Sequence, residues 1–165
     1  MEIVFSGFWS AFWLFLGVVA GAGIQHWLTQ VQFQKHQKNA RLVLETEIEL
    51  NLIEAETIAG RIRFLKERVG AGQIEDADLF LNMQGFHYSA IGPLVNSGHF
   101  HSMLGSGGVK KYVEFMRFFN NNNANWLSSA LVAEHEKGLS MAFLDWMLGK
   151  CEVHSSGLKL ISKHT

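Results

Sequence analysis

From Ile3 to Leu28 the chain reads IVFSGFWSAFWLFLGVVAGAGIQHWL, without one Asp, Glu, Lys or Arg, and the next cation is Lys35. A helix of about 20 apolar residues crosses a bilayer core, so this run predicts a membrane span. A cleaved signal peptide would carry a basic leader and a shorter apolar run, whereas only Glu2 precedes this one. Lys35, Lys38 and Arg41 follow the span closely. Cations are retained on the cytoplasmic side, which puts the short N-terminus outside and the rest of the chain in the cytoplasm, as in a bacterial inner membrane. Trp27 would sit at the inner interface, with Phe5, Phe8 and Trp9 at the outer one. Gly7, Ser10, Leu14, Gly17 and Gly21 recur at spacings of three and four. This places a stripe of small residues on one side of the span, and Gly17 with Gly21 forms a GxxxG pair of the kind that lets membrane helices approach closely.

Between Gln30 and Val69 the sole helix breaker is Gly60, so the span is expected to continue as a helical stalk. Leu44, Ile48, Asn51, Ala55, Ile58, Ile62, Leu65 and Val69 alternate by four and three over most of their length. That is an a/d seam with one polar member, and a buried Asn in such a seam can fix register and oligomeric state. Leu42, Val43, Leu50, Leu52, Ile53 and Phe64 widen the apolar surface beyond a narrow seam. Two uses of the stalk follow: packing into the chain's own bundle, or an intermolecular coiled coil. Charge comes in blocks, acidic from Glu45 to Glu56 and basic from Arg61 to Arg68, as on a solvated helix whose last turn carries cations.

Gly70 and Gly72 end the stalk. A second helix is expected from about Asp76 to Ala90 on the apolar set Leu79, Phe80, Met83, Phe86 and Ile91, ended by Gly92 and Pro93. A short helix among Gly and Ser follows, with Ser106 a candidate cap for a third helix carrying Val109, Tyr112, Val113, Met116 and Phe119. The run Asn120 to Asn123 predicts a break, since Asn is poor inside helices and good at caps. Two further helical stretches hold Trp126, Leu127, Leu131 and then Met141 to Leu148, and the tail from Ser155 to Thr165 reads as a docking helix or a frayed end. The fold class is all-α: a transmembrane anchor over 1–29, a juxtamembrane stalk over 30–69, and a helical bundle over 70–165.

Composition narrows the function. In 165 residues, 14 Lys and Arg stand against 15 Asp and Glu, so there is no basic field to hold nucleic acid. One cysteine and one proline exclude a disulfide-stapled or proline-rich scaffold. Among eight histidines, His99 and His101 form an H-x-H pair with His87 upstream. Imidazoles of this kind are candidate ligands for zinc, copper or iron, yet no HExxH, CxxC or carboxylate-His spacing accompanies them. Glu134, His135 and Glu136 are adjacent and point apart on a helix. Gly105, Gly107 and Gly108 before Lys110 and Lys111 lack the strand and spacing of a phosphate loop, and Cys151 has no evident base. The pattern therefore points to a non-catalytic single-pass membrane protein without a cofactor. It would act as an interaction, scaffold or accessory subunit, packing on the bilayer and on copies of itself or a larger integral complex through Gly7, Ser10, Gly17 and Gly21 and through the stalk seam. The alternative is a sensor or effector binding a small ligand or metal, or an oligomeric pore.

Overall fold

The computed structural model describes residues 2–75 and 78–162, with side chains from Phe12 onward. Five helices, and no strand, occur among the described residues: α1 (Glu2–Gly70), α2 (Ile91–Asn96), α3 (His99–Phe118), α4 (Asn121–Glu136) and α5 (Ser140–Ser162). The chain divides into two compact units, one ending at Asn39 and the other starting at Ala40. The first unit is the apolar N-terminal part of α1, in which every residue from Phe12 to His36 is exposed.

The second unit holds the core. α3 packs on α5 most extensively, with α2 against α3 and α4 against α5. From α1, Leu44, Ile48, Ala55, Ile58, Ile62 and Leu65 join one apolar cluster with Phe115, Phe119, Leu127, Leu131, Leu144 and Met147. Aromatic rings tie its centre together: Phe86 stacks on Phe119 at 4.7 Å between centroids, and Phe115 lies 4.6 Å from the same ring. α1 ends where Gly72 turns left-handed at φ +63°. Gln73 N–H then reaches Arg68 O at 2.9 Å and Gly72 N–H reaches Val69 O at 3.0 Å, a closure that satisfies the last carbonyls of the helix.

The helix expected over Asp76–Ala90 does not form. Asp76 and Ala77 lie outside the described residues, and residues 79–90 are non-helical. Leu79, Leu81 and Met83 are buried while Phe80, Asn82 and Gln84 are exposed. That period of two belongs to an extended chain laid on a core, and it cannot be met by one face of a helix. Asn82 Oδ1 accepts from Gln84 N–H at 3.0 Å, a local bond that competes with helix formation. Residues 73–75 and 78–90 are called the strap below.

Gly92 and Pro93, expected as a break, sit in the first turn of α2, where the missing proline N–H has no intrahelical partner to lose. Within α3 the helical path is interrupted at Gly105, at φ 61° and ψ 172°, one residue before the expected cap Ser106. The asparagine run does form a break. Asn120 is extended and its Oδ1 accepts from Asn123 N–H at 2.9 Å, capping α4, while Asn123 Nδ2 donates to Phe118 O at 2.6 Å. One cluster thereby serves the end of α3 and the start of α4. The tail continues α5 through Ser162, with Leu158 and Ile161 buried, and residues 163–165 lie outside the described residues.

Candidate functional site

An extended segment brings its backbone N–H and C=O groups to a core without a partner strand, and each requires a partner when buried. Side chains of α1 supply several of them. Arg68 Nε donates to Gln73 O at 2.8 Å, and Arg61 Nη2 donates to Asp78 O at 2.9 Å. Glu54 lies over Gly85 so closely that a Cβ there would come within 2.5 Å of its carboxyl, so a side chain at that position displaces the end of Glu54. Glu47 accepts from Ala90 N–H at 2.7 Å and from Ser89 Oγ at 3.1 Å. Positions 47, 54, 61 and 68 are seven apart, about two helical turns each. They form a ladder down one flank of α1, and the strap runs antiparallel along it.

Asn51 reinforces the ladder. Its Nδ2 donates to His87 O and its Oδ1 accepts from His87 N–H, both at 2.7 Å. The amide thus takes both backbone groups of one strap residue. From α4, Ser128 Oγ accepts Leu81 N–H at 3.0 Å.

Glu47 is the centre of a buried polar cluster. Tyr112 from α3 donates its hydroxyl to Glu47 Oε1 at 2.7 Å, so the carboxyl receives three donors. Burial, then the hydrogen bond to Glu47 and its charge, push the Tyr112 phenol far above its ordinary value. Tyr88 is raised by burial and then by the Glu47 charge, and its hydroxyl donates to Phe119 O. Burial pushes the Cys151 thiol up to about 12, so it carries no thiolate near neutrality. Burial, followed by the nearby Lys150 charge, lowers His154, which stacks on Phe118 at 4.9 Å. The cluster holds the strap to α1 and α3 through three donors that the chain itself supplies.

The histidine candidates do not converge. His87 and His101 are exposed and His99 is buried at the start of α3. Among the described residues no three His, Cys, Asp or Glu side chains are grouped to hold a metal ion. Glu134 pairs with Lys137 at 2.8 Å, and His135 Nδ1 lies 3.3 Å from Ser140 Oγ, both across the α4–α5 turn. Gly105, Gly107, Gly108 and Lys111 line an open cavity of about 370 Å³ with Met103, Leu104 and Ile161. A shallow groove of about 480 Å³ runs between Val95 of α2 and Val113 and Met116 of α3.

The two sets of packing positions fare differently. Leu44, Ile48, Asn51, Ala55, Ile58, Ile62 and Leu65 are all buried within the chain's own core. Gly17 and Gly21 have nothing of the chain within 4 Å of a Cβ position. Gly7 and Ser10 are helical, and their side chains lie outside the described residues. Around the glycines Trp13, Leu14, Phe15, Val18, Ile24 and Trp27 are each about 60–70 % exposed. Among the described residues α1 alone is long and apolar enough to cross a membrane. Protein-family models, curated proteins and solved structures contain no match to this chain. The polar ladder escaped the sequence reading because Glu47 and Glu54 stand in an acidic block; their spacing of seven with Arg61 and Arg68 was the available signal.

Proposed function

We propose that the chain is a single-pass membrane protein with a non-catalytic role, an interaction or accessory subunit of a homo- or hetero-oligomeric membrane assembly. Its span would place the short N-terminus outside and the bundle in the cytoplasm. The observation that carries this reading is a helix segment apolar on all sides, uncharged from Ile3 to Leu28, and exposed in every residue from Phe12 to Trp27. A helix apolar all round needs an apolar surrounding, and from Phe12 to Trp27 every residue of this one is exposed. Lys35, Lys38 and Arg41 supply the flanking cations expected on the cytoplasmic side. Gly17 and Gly21, with open space above them, supply a surface on which another membrane helix can close.

The test is native mass spectrometry of the complex extracted from its membranes in mild detergent. The expected result is a defined assembly, with copies of the chain or a stable foreign subunit, that falls apart in Gly17→Leu and Gly21→Leu. A bare monomer for the unmodified chain contradicts the assembly role, and intact assembly in both variants removes the glycine face from it.

A further inference from the structure

The apolar face of α3 is wider than the core that covers it. Tyr112 and Phe115 are buried, while Val109, Val113 and Met116 form an adjacent stripe that is only partly buried. Their spacings of four and three put them on one side of the helix, over about 10 Å. The interruption at Gly105 supplies the facing wall. Phe100 and Tyr112 would stand about 18 Å apart along an unbroken helix, yet their rings meet edge to face at 5.7 Å, so the first turns of α3 bend back toward its second half. Together with Ile91 and Val95 of α2 they leave the groove of about 480 Å³, a size within the range of small-ligand sites, about 300–1,000 Å³. Its lining is apolar apart from His101, Arg117 and Asn120, and no carboxylate lines it among the described residues. Arg117 is exposed, and among the described residues its guanidinium has no ion pair or hydrogen bond. Glu114, three residues before it, lies 3.9 Å from Lys110 instead.

We propose that this groove binds a long-chain carboxylate, with the alkyl chain between Val95 of α2 and the Val109–Met116 stripe and the carboxylate on Arg117. Such a site goes beyond the assembly role and stands without the membrane anchor. The lining selects the ligand. Apolar walls receive an alkyl chain by burying its surface, and they hold too few polar groups to pair the hydroxyls of a sugar or the edges of a nucleobase. The guanidinium fork of Arg117 matches a carboxylate through two parallel hydrogen bonds. A cationic amphiphile would meet Arg117 with no counter-charge in the groove, and a neutral one would leave the guanidinium unused.

Photo-crosslinking of the full chain, in lysates that retain the membranes, tests this with a palmitate carrying a diazirine on its chain as the probe. Peptide mapping is expected to find label between Ile91 and Arg117. Unlabelled palmitate in excess should remove that label, while hexadecanol and methyl palmitate, which lack the charge, should leave it. Arg117→Gln keeps the apolar walls and is expected to lower the label about tenfold, as loss of a hydrogen bond between charged groups does. Arg117 is exposed, so the helicity of this variant should match the parent's. Val113→Trp fills the groove and is expected to bring the label to background. Label confined to the apolar segment before Lys35, equal competition by hexadecanol, or labelling of Arg117→Gln at the parent's level overturns the proposal.

Discussion

Glu47→Ala is expected to destabilise the bundle by about 3–5 kcal/mol, because it removes the shared acceptor of donors that are buried around it. The Tyr112 hydroxyl and the Ala90 N–H both point at the Glu47 carboxylate from buried positions, and each unsatisfied buried donor costs about 1–3 kcal/mol on top of the lost hydrogen bond. Ser89 is exposed, so water replaces the carboxylate there at little cost. Thermal unfolding of the detergent-solubilised chain, followed by circular dichroism, should show a Tm lower by roughly 10 °C. Tyr112→Phe alone should cost less, and the double substitution less than the sum of the two, since both remove the same bond. Glu45→Ala provides the contrast: its partner is Arg41 on the exposed helix surface, where an ion pair contributes about 0–1 kcal/mol. Equal small effects at Glu45 and Glu47 would mean that the buried cluster does not hold the strap.

Asn51→Leu separates two accounts of the same residue. Were Asn51 the polar member of an apolar seam, leucine would fit the pattern better and raise stability. In the structure its amide takes both the N–H and the C=O of His87. Leucine then leaves two backbone groups of the strap without partners and crowds the site where they stood. The expected loss is about 2–4 kcal/mol, seen as a lower denaturation midpoint and as faster hydrogen exchange at His87 than at the helical core. A gain in stability would contradict the latch.

These two residues show what the sequence could and could not disclose. The all-α class and a single long apolar N-terminal helix were legible because they rest on composition and periodicity over tens of residues. The break at Asn120–Asn123 was legible because asparagine has a local mechanism for capping. Asn51 stood out as the polar exception in its seam, yet its partner is a backbone 36 residues later in the chain, and no spacing reports a contact of that range. Glu47 could not be told from Glu45 or Glu49 by residue type; its burial follows from the direction it faces, one position before the core residue Ile48. The strap was misread because Leu79, Phe80, Met83 and Phe86 satisfy a helical count. Leu79, Leu81 and Met83 satisfy an alternating one, and what decides between them is that Leu81 is buried while Phe80 is exposed. Helix propensity was overridden there by side chains of α1 that supply the partners a helix would have supplied internally.

Asn51, Glu47, Arg61 and Arg68 also explain why the stalk positions belong to the chain's own core. Once the strap is fastened along α1, Leu79, Leu81 and Met83 lie in the same cluster as the apolar positions from Leu44 to Leu65. Among the described residues of α1, those from Phe12 to His36 and the apolar Val43, Leu50 and Ile53 stay exposed outside that core.

The membrane anchor is the claim on which the rest depends, and alkaline carbonate fractionation of cells expressing the full chain tests it most directly. The chain should remain with the membrane pellet, and Leu16→Arg with Val19→Arg should release it, since each arginine near the middle of a span costs about 2.5–3.5 kcal/mol of insertion free energy. A chain recovered in the soluble fraction without substitution, with its bundle folded, would contradict the account.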